Sequence, residues 1–256
     1  MTNKKFRKTK EKMMGSFFLS SGGTDCVVID YRSSYEVTVM FLDKYEHTIT
    51  TNAGVLRKRA FTNPYDPTVY GVGYFGFGKY RAREVPEHDK KTKAYEVWRD
   101  MIKRCYSEKS LAINPSYKGC TVCDEWHNFQ VFAEWYVNQE FYGLGYQLDK
   151  DILVKGNKVY SPETCALVPR EINVLLHDNS KIRGEYPLGV TKLNHNYLVQ
   201  VSINGKNKRV GRYDTPEQAH EVYKKHKELQ VKDVANQWKN LVDIRVYNKL
   251  LNWKLQ

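Results

Sequence analysis

The residues best suited to chemistry lie in LDKDILVKGNKVYSPETCALVPREIN, from Leu148 to Asn173. A short strand is expected to run into Asp149, Lys150 and Asp151. A polar loop follows, and then a helix opened by Pro169, with Asn173 in its second turn. A carboxylate at a strand end, facing a carboxamide near a helix start, offers oxygen donors to one hard divalent cation. Mg²⁺ or Mn²⁺ would fit, with water and a substrate phosphate completing the shell. Such a cation polarises a phosphoryl oxygen and stabilises a leaving 3′ oxygen, while a general base deprotonates water. The chemistry implied is phosphodiester hydrolysis. The bland alternative is that Asp149 and Asp151 are solvated carboxylates at a strand end.

Larger elements must position this short segment. KAYEVWRDMIKRCY places Tyr95, Trp98, Met101 or Ile102, and Cys105 at helical spacing. After a loop through Pro115 and Gly119, DEWHNFQVFAEWY sets Trp126, Phe129, Ala133 and Tyr136 on a second helical face. Aromatic stripes of this kind are core, expected to pack around the Leu148–Asn173 unit, which is too small to bury its own apolar face.

The N-terminal part, from Gly15 to about Arg83, is β-rich. Strands are expected at Val27–Tyr31, Glu36–Phe41 and His47–Thr51. The run NPYDPTVYGVGYFGFGKY alternates Gly71, Gly73, Gly76 and Gly78 with aromatics. It lacks the Lys-Ser/Thr of a phosphate-binding loop, so a tight turn or bulged strand in a small barrel is expected. EVPEHDKKTK, Glu84 to Lys93, reads as a linker. The first fourteen residues are basic but carry no apolar core of a secretory signal. They read as a solvated arm or as one touching nucleic-acid phosphates.

Over 256 residues the net charge is +12, with 13% aromatics. Excess positive charge draws a polyanion through counterion release, so nucleic acid is the leading partner. No apolar run approaches the ~20 residues of a membrane span, and no basic amphipathic helix points to a membrane surface. Residues 181–256 hold fifteen Lys and Arg against seven Asp and Glu. Five scattered cysteines fit reduced thiols in a cytoplasmic compartment. Cys120 and Cys123, with His127 and Cys105, form an irregular zinc set, and buried free thiols are the preferred reading.

In the C-terminal third, strands are expected at about Leu188–Lys192, Tyr197–Ile203 and Lys208–Tyr213, with a hairpin turn at Asn204-Gly205. Asp214-Thr215 should cap a helix begun by Pro216. Tyr197, Val199, Val201 and Ile203 should face Ala219, Val222 and Tyr223 of that helix. Leu198, Gln200, Ser202 and Asn204 should form a largely polar, uncovered face, and a basic sheet of this kind suits the major groove. The tail NLVDIRVYNKLLNW reads as an amphipathic helix packed on this domain.

Two resemblances follow from these residues. The Leu148–Asn173 segment, with the preceding "W..M..RCY … GC.VC.EW..F" pattern, resembles the HNH motif of phage-encoded homing endonucleases. That resemblance implies that Asp149 and Asn173 hold the metal, that Thr164 stands at the bracing Asn, and that Lys150 occupies the place of the catalytic His. An ordinary ammonium, with pKa ~10.4, is a poor base, so Lys150 is expected to clamp the scissile phosphate as a point charge. The base is then a water ionised by the cation, Asp151, or a histidine such as His127 or His177. Alternatively there is no base, and the fold survives as a DNA-binding scaffold.

The segment Tyr186–Leu229, with "GV", "Y.V.V" and "G.Y.T.E.A...Y", resembles the Apetala-type (AP2-like) DNA-binding domain. By position its base readers become Thr191, Gln200, Ser202, Asn207 and Arg209, while Lys192, Lys206, Lys208 and Arg212 touch phosphate. The implied architecture is α+β and multidomain. It comprises a basic arm (1–14), an SH3-like small β-barrel module (15–85), an HNH-like core (86–180) and the AP2-like domain (181–256). The implied activity is Mg²⁺-dependent cleavage of double-stranded DNA in a host cytoplasm, without a small-molecule cofactor. The alternative is a non-catalytic DNA-binding protein of a phage or mobile element, and a weaker one is an RNA- or protein-binding module.

Overall fold

The structure, a computed structural model, describes residues 3–84, 90–176, 185–203 and 206–255. The chain is α+β and divides into two compact units, Met1–Tyr136 and Val137–Gln256. The division falls inside the stretch 86–180. No described helix is long and apolar enough to cross a membrane.

In the first unit β1 (Phe17–Leu19), β2 (Asp25–Ser33), β3 (Glu36–Phe41) and β4 (Thr48–Thr51) pair antiparallel in chain order. Period-two alternation builds the core: Val37, Val39 and Phe41 of β3 are buried, and the residues between them are not. Among the described residues β1 and β4 remain edges, so the expected barrel is corrected to an open sheet. Four strands, of which β1 has 3 residues and β4 has 4, cannot curl round a filled interior. Two helices close the core instead. The basic N-terminal segment is not a free arm but α1 (Asn3–Met13), whose Phe6 and Met13 join Val28, Tyr31 and Leu56 of α2 (Ala53–Arg57) in one cluster.

The aromatic stripes lie on α3 (Lys93–Tyr106) and α5 (Phe129–Val137); the short α4 (Glu108–Ile113) and β5 (Thr121–Val122) lie between. Thr92 caps α3, its hydroxyl accepting from Tyr95 N. The stripes close on each other and on the glycine run. Trp98 Nε1 donates to Trp126 O at 2.7 Å, and the Phe75 ring lies 5.0 Å from that of Phe129. Close approach explains the glycines. A Cβ on Gly73 would stand 2.9 Å from the Trp98 ring, and Gly76 combines a φ of +71° with Asn128 directly above it.

In the second unit β6 (Gln147–Asp149) pairs antiparallel with β8 (Ala166–Val168), and α6 (Arg170–Leu175) follows; β7 (Val159–Tyr160) lies in the connecting loop. Further on, β9 (Val190–Leu193), β10 (Asn196–Ile203) and β11 (Lys206–Tyr213) form an antiparallel sheet in the order β11-β10-β9. The turn residues Asn204 and Gly205 lie outside the described residues. α7 (Pro216–Gln237) starts where the sequence places it, with the Thr215 hydroxyl accepting from Gln218 N, but it runs for 22 residues, well past Leu229.

The first turns of α7 bury Ala219 and Tyr223 against Val190, Val199 and Val201 of the sheet. Its last turns bury Val231, Val234 and Ala235 with α8 (Ile244–Leu251) and with Ala166, Val168 and Ile172 of the strand-and-helix unit. The tail helix, expected on the sheet domain, therefore packs on the other core. Its buried Val246 and Leu250 find their apolar complement there.

Candidate functional site

Asp149 ends β6. Its Oδ1 accepts the backbone N–H groups of Asp151 and Ile152, both at 2.7 Å, which turns the chain out of the strand. Burial pushes the Asp149 carboxyl above its ordinary range, and the two N–H bonds partly oppose that rise. Gln147, two residues earlier, shares the same face of the strand. Asn173 Nδ2, from the second turn of α6, donates to Gln147 Oε1 at 2.7 Å. The register Gln147↔Val168 and Asp149↔Ala166 puts this face on the side where α6 packs, since Ala166, Val168 and Ile172 share one core. The α6 amide thus reaches the strand face that carries Asp149. Asp149 Oδ2 takes part in neither turn bond.

Lys150 points the other way. Only 6% exposed, its Nζ donates to Asp151 Oδ2 at 2.6 Å and to Asn157 O at 2.7 Å, with the Tyr160 ring 5.9 Å away. In this arrangement the ammonium holds the loop together rather than facing solvent as a phosphate clamp. Asp151 itself is exposed. Asn157, which the sequence did not single out, is a second brace. Its Nδ2 donates to Lys150 O and Val159 O, and its Oδ1 accepts from Val159 N. A Gly-Asn pair within the polar loop was the available signal. Thr164 adds a bond from its hydroxyl to Val159 O at 2.7 Å.

Lys150→Met keeps the length of the stem and removes both charge-assisted bonds. Such bonds contribute about 1.5–3 kcal/mol, and one partner here is half exposed. The variant should lose about 1.5–3 kcal/mol in urea denaturation.

The other candidates are scattered. His127 lies in the first unit, with Nε2 3.4 Å from Tyr106 Oη and Nδ1 3.9 Å from Asp124. His177 lies outside the described residues. Cys105 and Cys120 are buried and Cys123 half-buried. Among the described residues no group of three or more His, Cys, Asp or Glu side chains is placed to hold a metal.

In the C-terminal sheet, cross-strand partners share a face. Thr191 stands opposite Leu198, which stands opposite Arg212; Gln200 pairs with Arg209 and Ser202 with Asn207. These residues form the face away from α7, and Thr191, Ser202, Asn207, Arg209 and Arg212 are exposed. One correction follows. Leu198, expected on an uncovered face, is 8% exposed. Lys192 and Lys208 pair with Tyr197 and Val201 and so belong to the helix side. There the Tyr186 phenol raises the Lys192 ammonium above its ordinary range. The Lys206 side chain lies outside the described residues.

The ladder shifts register between Val199 and Gln200, with Val199 opposite Gly211 and Gln200 opposite Arg209. Val210 is the extra residue, a β-bulge in β11. It turns inward to the sheet core.

Comparison of the chain with protein families, with curated proteins and with solved structures finds no match in any of the three.

Proposed function

We propose that this chain is a metal-dependent DNA endonuclease, in which the C-terminal sheet holds duplex DNA and the Asp149–Asn173 face supplies oxygen ligands for one Mg²⁺ or Mn²⁺. The observation that carries this reading is the Asn173–Gln147 bond at 2.7 Å, which draws the helix amide onto the strand face of Asp149. The donors fit a hard cation: one carboxylate with a free oxygen, and a carboxamide oxygen. Asp149 is also desolvated, and a desolvated anion is relieved by a positive partner. Bound there, the cation would polarise the scissile phosphoryl oxygen and stabilise the departing 3′ oxygen.

The chain's own side chains do the rest. Lys150, Asn157 and Thr164 hold the loop, so that the Asp149 carboxylate is presented in one orientation. Asp151, exposed and anchored by Lys150, would accept the proton of the attacking water. The sheet contributes cations for phosphates and polar groups for base edges, a division expected of groove-binding proteins.

One observation favours a second reading, a DNA-binding protein without hydrolysis. The residue in the place of the family's catalytic His is a buried, doubly bonded lysine. Supercoiled plasmid incubated with the chain and Mg²⁺ separates the two. Nicking that stops on adding EDTA supports the enzyme. An intact plasmid alongside salt-sensitive duplex binding supports the second reading.

Arg209 has the side chain best able to read a base from this face, through a bidentate contact to guanine. Arg209→Ala should weaken binding to a selected duplex about 5- to 150-fold, the equivalent of ~1–3 kcal/mol. Its affinity for unselected DNA should fall far less. Fluorescence anisotropy at one fixed salt concentration reads both.

A further inference from the structure

The sequence suggests two separable domains, nuclease-like and DNA-reading, yet the second unit binds them together in three ways. The first is α7, whose 22 residues contain no glycine and no proline beyond Pro216 at its start. Its first turns are locked into the sheet core, where the Tyr223 ring sits against Gly189 so closely that a Cβ there would stand 2.0 Å from it. Its last turns are locked into the core of β8 and α6 through Val231, Val234 and Ala235. The second tie is Gln230, about two-thirds of the way along α7, whose Nε2 donates to Ser202 O of β10 at 2.7 Å. The third is the chain beyond α8. Trp253 packs in one core and Leu255 in the other, while Lys254 Nζ and Leu255 N both bond to Glu228 of α7.

A tether meant to let two modules move would be polar, glycine-rich and unpacked. This one is a packed helix, clamped at both ends and latched to the sheet again through Gln230.

We propose that the base-reading face and the Asp149–Asn173 face act on one duplex as a single rigid body. The phosphate presented to Asp149 then lies at one fixed offset from the bases that the sheet reads. This rests on the DNA-binding reading given above. At 1.5 Å per residue, the two sets of α7 core contacts, about twelve residues apart, are separated by ~18 Å. That is roughly five base pairs at 3.4 Å each, so the offset falls within about one duplex turn.

The test uses the full chain and duplexes that it selects from a randomised pool. Val174 neighbours Asn173 on α6 and is 56% exposed, so Val174→Cys can carry an iron chelate without disturbing the core or the candidate ligands. Labelled wild-type chain controls for the native thiols. Hydroxyl radicals released at position 174 should cut each selected duplex in one cluster a few nucleotides wide, at the same offset from the shared bases. Cuts scattered over more than a duplex turn, or absent within a turn of those bases while the labelled chain stays bound, would overturn the proposal. The pattern needs no hydrolysis by the protein. A sharp cluster without Mg²⁺-dependent nicking therefore supports the rigid coupling and refutes only the enzymatic reading. Failure of the wild type to bind any duplex removes both.

Discussion

Asp149→Asn should abolish Mg²⁺-dependent nicking, by a factor of at least about 10³, without unfolding the chain. The asparagine oxygen can still accept from Asp151 N and Ile152 N, so the turn that leaves β6 survives. What disappears is the negative charge. Lewis-acid stabilisation of a phosphoryl transition state is worth several kcal/mol, and ~4 kcal/mol corresponds to the stated factor.

The stability effect has the opposite sign from that of an ordinary lost carboxylate. Because burial raises the pKa of Asp149 in the folded chain, the fold prefers the protonated form. Ionisation therefore costs stability once the pH rises above the group's unfolded value, and most of all above the raised, folded one. Asparagine removes that cost, so the variant should melt at or above the wild-type temperature near pH 7. For the same reason, wild-type nicking should fail on acidification at a higher pH than an ordinary carboxylate would set. Asp149→Ala, by contrast, leaves two backbone donors unpartnered and should lose about 1–3 kcal/mol as well as activity. Nicking by Asp149→Asn at the wild-type rate would remove Asp149 from the site.

Trp98→Ala should be the most damaging single change in the first unit. The side chain is fully buried, its ring centre is 5.7 Å from that of Tyr95 and 5.4 Å from that of Phe129, and Gly73 lies against its edge. Truncating a buried tryptophan to alanine costs about 3–5 kcal/mol, and Trp126 O loses its indole donor as well. Set against a typical total of about 5–15 kcal/mol, that is a large share. Urea denaturation followed by circular dichroism should show an early transition for Trp98→Ala, and a smaller shift for Trp98→Phe, which keeps a ring but loses Nε1. A Trp98→Ala midpoint close to that of the wild type would mean that the glycine run does not depend on this ring.

The elements visible in the sequence are those with local causes. Thr215 and Pro216 announce the start of α7, and alternation in EVTVMF announces β3. The helical spacing of Trp98, Ile102 and Cys105 announces α3. What the sequence conceals depends on partners far along the chain. The glycines at 73 and 76 serve Trp98 and Asn128, a relation that no local pattern carries. The length of α7 was hidden for a similar reason. Its last turns are apolar towards residues such as Ile172 and Leu250, so they read as weakly amphipathic until that second core is known. At the candidate site, the sequence locates Asp149 and Asn173 on their elements, but it does not reveal that Lys150 turns inward or that Asn157 braces the loop.

The bulge at Val210 has a consequence for evolution. On an unbroken strand, side chains three positions apart project to opposite sides, so Arg209 and Arg212 would be divided between the open face and the helix side. The supernumerary residue resets that parity and brings both guanidinium groups to the same side. Loss of the Val210 codon would leave the two arginines two positions apart on a regular ladder, still on one side, whereas a codon gained between them would turn one guanidinium towards the helix. In this sheet, a one-residue insertion changes which face an arginine occupies and leaves its identity untouched.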